Sequence, residues 1–382
     1  SKLLMSRPRF DDNEVTTGNF TGGAIHAELG SEATLTGAWA RNNTAGSGGA
    51  FSAISMSSIS LEQSEVSGNN AKFGGAMFVD NATITLSEST VSSNSAGSSN
   101  VAEVRGDGTI NFIHATVVGQ AAIGDDPSIY FTGVGGTLGM TNSLLFTGPG
   151  LIDCGFAGGA TATVNLAGNN LVGDPGDCVF AGAGDILITD PLLGPLADNG
   201  GLTDTHKPLT GSPVIDAGDD AFLEDDVLWD QRGVGDRRST GLATDIGALE
   251  IQGGNLRIVD TFFEVAEDAG FAEFVFERTG DSEGSVGVTL NTQDDEAIAP
   301  GDYVAVANDS LTWAEGELGE KTFQVIVNTD LETEEDEDFQ LLMSGPTGGA
   351  RFLGNLQATA RILDVPPPPG IFKDAFEEGE VE

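Results

Sequence analysis

"GGAFSAISMSSISLEQSEVSGNNAKFGGAM" occupies residues 48–77 and ends on the theme with which it starts. "GGAF" at 48–51 returns as "GGAM" at 74–77, and "GGAI" stands at 22–25, so the spacing is 26 residues each time. A fixed period of this size marks a solenoid, in which each repeat buries its apolar side only against the next. An apolar-x-x-Asn unit accompanies the glycines: "FDDN" at 10–13, "WARN" at 39–42, "VSGN" at 66–69 and "VSSN" at 91–94. Between these marks lie alternating stretches such as "ATLTGA" and "ATITLSES". Alternation at period two puts one set of side chains inside and the other outside. Glycine pairs permit left-handed turns and close backbone approach at corners. Asparagines that recur at one corner can stack as a ladder of amide hydrogen bonds. The expected fold class is therefore all-β, beginning with a parallel β-helix.

Composition agrees. The chain has 382 residues, with 54 glycines and a formal charge of −43 from 59 acids and 16 bases. So few bases argue against nucleic acid and anionic membranes as partners, since both require Lys/Arg patches. No apolar run is long enough to span a bilayer. The opening "SKLLMSRPRF" lacks the apolar core of a signal peptide, which suggests a mature chain or a fragment with repeats upstream.

The paired signatures over residues 10–95 resemble the polymorphic outer membrane protein repeat of bacterial surface proteins. The resemblance implies a right-handed parallel β-helix outside a Gram-negative cell. From Leu151 to Glu250 the motifs "DPLLGPLADNGGLTDTHKPLTGSPVIDAG", "DQRGVGD" and "DIGALE" resemble the type Q choice-of-anchor region of large bacterial surface proteins. That region is expected to close the open end of the solenoid, whose unpaired strand edges invite aggregation. In that family two cysteines flank the final loop. Cys154 and Cys178 fit the placing, so the resemblance implies a disulfide, worth roughly 3 kcal/mol, and an oxidising compartment.

A catalytic set is harder to assemble. His206, Asp190, Asp198, Asp216, Asp230 and Arg232 are the candidates in this region. Aspartates beside Gly or Pro, as at Asp190 and Asp216, are commonly turn formers, and a lone histidine such as His206 is commonly structural. His26 and His114 sit in strand-like text. No pair of carboxylates with a nearby base stands out, so the expectation is a protein without an active site. The alternatives are a polysaccharide-acting lyase or hydrolase, which would need two carboxylates in one groove, and a self-assembling filament subunit.

After residue 253 the text changes to short strands with Gly, Asn and Asp turns: "TFFEVAED", "FAEFVFERT", "SVGVTLNT", "DYVAVA", "DSLTWAEG", "KTFQVIVN", "EDFQLLMS" and "ATARILD". That spacing reads as a β-sandwich. The order of "FEVAED", "TQDDEAIAPGDY", "LTWAEGELGEKTFQVIV", "TDLETEEDEDF" and "ATARILD" resembles the Calx-beta domain. The resemblance implies an immunoglobulin-like sandwich that binds Ca²⁺ at one end. Carried onto this sequence, the ligands are Glu267, Asp302, Asp330, Glu334 and Asp364, with Asp295 as a further candidate. The acidic run "NTDLETEEDEDFQLL" at 328–342 then has a reason, since a cation offsets its self-repulsion. Glu335, Asp336 and Asp338 are expected to face solvent. Calcium-sensing members carry consecutive aspartates where this chain has Thr329-Asp330, so one or two ions are expected, at an affinity of about 10⁻⁴–10⁻³ M.

The domain reading is 1–252 solenoid with cap, 253–365 sandwich, and 366–382 a proline-rich linker with an acidic tail. Four prolines make a stiff spacer. "IFKDAFE" resembles a short C-terminal motif on secreted proteins of some Gram-negative bacteria. The function expected from all this is a secreted or surface-attached structural or adhesive protein, with a surface or matrix polysaccharide or protein as partner and self-association possible.

Overall fold

A computed structural model describes residues 1–15, 21–119, 127–182, 184–223, 228–330 and 334–365. The tail motif and proline spacer at 366–382, and Glu332 of the acidic run, lie outside the described residues. The chain divides into two compact units. The first is Ser1–Gly253 with Glu283–Ser285 and Thr347–Arg351; the second holds the remainder.

The first unit is a β-solenoid. Parallel sheets of seven, three, six and eight strands run along its sides. One full coil shows the order: Thr83–Ser87, Thr90–Ser92, Ser95–Ser98 and Ala102–Arg105, after which Thr109–Ile113 returns to the first sheet. Each strand pairs in register with its counterparts one coil away, so Ile84 lies between Ile59 and Ile110, and Leu86 between Leu61 and Phe112. These residues are fully buried, and the inward column of Leu, Ile, Val and Phe is the core. The outward residues alternate with them and are mostly Thr, Ser and Asn.

The glycine pair of the repeat has a steric cause. Gly48 and Gly74 adopt φ of +65° and +64°. The second glycine faces the next coil: a Cβ on Gly49 would stand 2.1 Å from the Gly75 carbonyl oxygen, and one on Gly23 2.2 Å from that of Gly49. No side chain fits there. The expected asparagine ladder is present, with one change of register. Asn13 Nδ2 donates to Asn43 Oδ1 at 2.7 Å, Asn43 to Asn69 at 2.9 Å, and Asn69 to Asn94 at 2.9 Å. The member from "WARNN" is Asn43, not the Asn42 of the quoted motif; Asn42 takes the left-handed corner position at φ +53°. Asn69 is fully buried, and its amide N–H₂ also donates to Ala40 O. We expect Asn69→Ala to strand the partners on both neighbouring coils and to cost about 2–4 kcal/mol, measured as a drop in urea midpoint.

Residues 203–252 do not simply close the end of the solenoid, as the sequence reading expected. They return along its flank over the outer face of the eight-stranded sheet. That face needs cover. At its far end it presents Val118, Leu144 and Leu171, which bury against Val214 and Ile246 of the returning segment. Nearer the start it is polar and the contacts are hydrogen bonds. Thr90 Oγ1 donates to Gln231 Oε1 at 2.6 Å, and the Ala248 N–H donates to Thr116 Oγ1 at 2.9 Å. The corner before these strands is left-handed in successive coils, at Gln63, Glu88, His114 and Asn142, with φ between 44° and 50°. A non-glycine residue there costs about 1–2 kcal/mol. Three of these side chains bind the strap: Gln63 donates to Asp230 O, Glu88 accepts from Arg238, and Asn142 exchanges two bonds with the Asp219 backbone. The coils before and after this series use Gly37 and Gly168 at the same corner.

Cys154 and Cys178 form the disulfide that the resemblance implied, with Cα atoms 5.7 Å apart. Cys154 opens the last strand of the six-stranded sheet, Cys154–Phe156.

The second unit is the expected β-sandwich. Gly319–Ile326, Phe271–Thr279, Asn255–Ile258 and Arg351–Phe352 form one sheet; Phe262–Ala266, Gln357–Leu363, Glu337–Thr347, Val286–Asp294 and Asp309–Trp313 form the other. Phe274 meets Phe263 and Phe339 edge-on, and Tyr303 stacks on Phe339 at 4.3 Å. Two strands differ from the sequence reading. Asn255–Ile258 was not expected. "DYVAVA" is not a strand: it makes one bridge, Tyr303 with Val327, and the Val306 N–H goes to Thr292 Oγ1.

Candidate metal centre

At one end of the sandwich four pieces of chain meet: the turn after Phe262–Ala266, the loop that precedes Tyr303, residues 328–330 and 334–337 of the acidic run, and the exit of Gln357–Leu363. Each arrives by a local rule. Glu267 starts a single 3-10 turn that Gly270 ends at φ +83°. It is 8% exposed, and its Oε1 accepts the Asp330 N–H at 2.6 Å while its carbonyl accepts from Thr329 Oγ1 at 3.0 Å. Asp302 Oδ2 accepts the Ile298 N–H at 2.5 Å, and its carbonyl accepts the Asn328 N–H at 2.8 Å. Asp364 follows the last strand directly.

Glu267, Asp302, Asp330, Glu334, Glu335, Glu337 and Asp364 line one cavity of about 20 Å³, room for roughly one water-sized body. Carboxylate oxygens of Asp302, Glu334 and Glu337 lie within 4.8 Å of one another. Partial burial and the neighbouring Asp302 carboxylate push the Glu337 carboxyl up to about 7. Asp364 Oδ1 is buried and has no hydrogen-bond partner. An orphaned acceptor among crowded carboxylates is unfavourable for the protein alone. An all-oxygen donor set drawn from several loops suits a hard cation such as Ca²⁺, which takes six to eight oxygens in flexible geometry. The residues present therefore fit the ion that the Calx-beta resemblance implies.

Five of the six residues carried over from the resemblance come together here. Asp295 does not line the cavity; its Oδ2 accepts from Gln340 Nε2 at 3.3 Å. Glu337 was absent from the sequence reading. The signal for it was alternation: Glu337 precedes Phe339, Leu341 and Met343 on the same face of one strand, and those three are buried. Of the acids expected to face solvent, Glu335 and Asp336 are exposed, though Glu335 also borders the cavity and Asp336 Oδ1 accepts the Asp364 N–H; Asp338 is half-buried and held by Arg361 at 2.8 and 3.0 Å.

The solenoid's catalytic candidates are engaged in structure. Asp190 and Asp198 cap tight turns by accepting from the Leu192 and Gly200 N–H groups. Asp216 accepts from the Leu242 N–H. Asp230 and Arg232 form a buried pair, with Asp230 also accepting the Glu250 N–H. His206 uses both ring nitrogens, on Ser92 Oγ at 2.9 Å and Gly194 O at 2.8 Å. His26 binds Thr21 Oγ1 at 2.6 Å. His114 is buried in the strap's interface, and desolvation together with nearby Arg238 holds it well below the usual imidazole range.

Among family models, that of the Calx-beta domain matches residues 252–366. No curated protein matches the chain. Among solved structures, an apo-form Calx CBD1 domain is 30% identical over 29% of this chain and 96% of its own, with a TM-score of 0.28. A calcium binding domain CBD12 of CALX1.1 is 30% identical over 28% of this chain and 44% of its own, with a TM-score of 0.27. The chain is thus a β-solenoid followed, at residues 252–366, by a Calx-beta domain.

Proposed function

We propose that the protein is an extracellular or cell-surface structural and adhesive molecule of a Gram-negative bacterium. In this reading the solenoid with its strap, residues 1–252, is a stiff arm. The sandwich, 253–365, is a module that Ca²⁺ rigidifies, and 366–382 is a proline-rich linker with an acidic tail. The carrying observation is the convergence of Glu267, Asp302, Asp330, Glu334, Glu337 and Asp364 at one end of the sandwich, with Asp364 Oδ1 buried and unpartnered.

Bound Ca²⁺ supplies the positive charge that these acids lack. The residues supply the rest. Glu267 ties the acidic segment to the first turn through the Asp330 N–H, so that segment is anchored before an ion arrives. Asp302 comes from the loop before Tyr303 and Glu337 from the start of the strand Glu337–Thr347. The Cys154–Cys178 disulfide supports an oxidising location, and among the described residues no helix is long and apolar enough to cross a membrane. The repeat and type Q resemblances support surface display. The test is thermal unfolding with millimolar Ca²⁺ and with chelator: a Ca²⁺-dependent rise of the sandwich transition supports the reading, and identical melts overturn it.

A further inference from the structure

We propose that the outer face of the solenoid's seven-stranded sheet is a binding face for a neutral polysaccharide chain. This rests on the reading of the protein as an extracellular binding molecule and names its partner and the place where that partner lies.

The face is built from in-register columns. Ser58, Thr83, Thr109, Thr137 and Thr163 stack in one; Ser60, Thr85, Asn111, Gly139 and Asn165 in the next. A third runs through Ser87, Ile113, Thr141 and Ala167. Parallel strands set these rows about 4.7–4.9 Å apart, close to the length of one sugar residue in an extended glycan. A chain laid along the solenoid axis would therefore meet equivalent groups coil after coil.

Charge selects the ligand. The whole chain carries −43. Yet the outward positions of the last four strands of this sheet, from Thr83–Ser87 to Thr161–Ala167, hold no charged residue. An anionic polymer is repelled by the protein at large, and a cationic one would find its partners elsewhere. A neutral polyhydroxylated chain fits.

The face also has a groove. Asn111, Ile113, Gly139, Thr141, Asn165 and Ala167 line a depression of about 220 Å³. A Cβ on Gly139 would stand 2.3 Å from Asn111 Oδ1, so the Asn111 side chain lies over the glycine and bounds the depression on that side. Asn111 and Asn165 offer amide donors and acceptors on either side of the gap, and Thr141 a hydroxyl. Ile113 and Ala167 stand on either side of Thr141 in their column, and each offers an apolar surface to the C–H face of a pyranose. Among the described residues the strap lies over the eight-stranded sheet, while outward residues of this one such as Thr161, Thr163 and Asn165 are exposed.

The experiment is native gel electrophoresis of the full chain through gels containing a mixed-linkage β-glucan, dextran or alginate. The double variant Thr141→Glu, Asn165→Asp places two charges in the groove without touching the core. Lys72→Ala, on another sheet, is the control. We expect retardation of wild type and control by a neutral glucan and not by alginate, and a loss of about tenfold or more in affinity for the double variant, the scale of one or two hydrogen bonds. Circular dichroism and the Ca²⁺-dependent melt of the double variant should match wild type. Migration unaffected by either neutral glucan, retardation by alginate, or equal retardation of wild type and double variant would each overturn the proposal. Because the sandwich melt is read separately, a failed face and a failed Ca²⁺ site give different results.

Discussion

Arg238→Met is expected to destabilise the solenoid by about 3–5 kcal/mol, the range for breaking a buried ion pair from one side. Arg238 is 1% exposed. Its guanidinium donates to Glu88 Oε2 at 3.1 Å, Gly247 O at 2.8 Å, Thr244 Oγ1 at 3.0 Å and the Asp245 carbonyl, and lies 3.5 Å from Glu250. Methionine fills much of the volume but leaves Glu88 buried at the corner where the strap docks, and Glu88 Oε1 already has no partner. The deficit should depend on pH. Burial, the largest cause, pushes the Asp245 carboxyl up to about 7 and raises those of Glu250 and Glu88 as well. An unfolded aspartate titrates near 3.9. The folded state thus holds protons that the unfolded state has released. The stability these groups contribute is fully present below about pH 4 and is lost as pH rises toward about 7. In the variant the acids lose their counter-charge, so its deficit should be smaller at pH 5 than at pH 8. Urea unfolding of both proteins at the two pH values measures this. A deficit under about 1 kcal/mol, or one that grows on acidification, would show that the strap is not held by this network.

The second large effect is expected at the sandwich. Asp302→Asn with Glu337→Gln removes two of the three carboxylates that lie within 4.8 Å of one another and keeps their shape. With chelator present the variant should melt above wild type, because repulsion is relieved. In Ca²⁺ the order should reverse. At a free concentration one hundred times the dissociation constant, wild type gains about 2.7 kcal/mol. For a domain of this size that corresponds to a rise of roughly 10–20 °C. The variant should gain little. If both respond alike to Ca²⁺, the ion is held elsewhere; if neither responds, the cavity is an acidic surface without a cation.

The solenoid was legible in the sequence because its cause repeats. Gly23, Gly49 and Gly75 meet the same obstacle in each coil, so the 26-residue period writes the contact into the text. The asparagine ladder was legible except at "WARNN", where two asparagines adjoin and only geometry decides between Asn42 and Asn43. The strap was not legible. Its bonds join residues far apart, such as Gln63 with Asp230 across 167 positions and Thr90 with Gln231 across 141, and no local pattern reports such pairing. In the sandwich, alternation marked most strands because each packs one face inward. It misled at "DYVAVA", where the pattern is right but a threonine hydroxyl receives a backbone N–H that a ladder would have used. Glu337 was missed for the opposite reason: it looked like one more acid in a charged run, while its phase with Phe339 placed it on the core side of the strand.

The most direct test of the central claim is calorimetric titration of Ca²⁺ into chelator-treated wild type and the Asp302→Asn, Glu337→Gln variant. Wild type is expected to bind one or two ions saturably, with a dissociation constant of about 10⁻⁴–10⁻³ M, and the variant to lose that binding. Absence of saturable binding to wild type, or equal binding to both proteins, would contradict the claim.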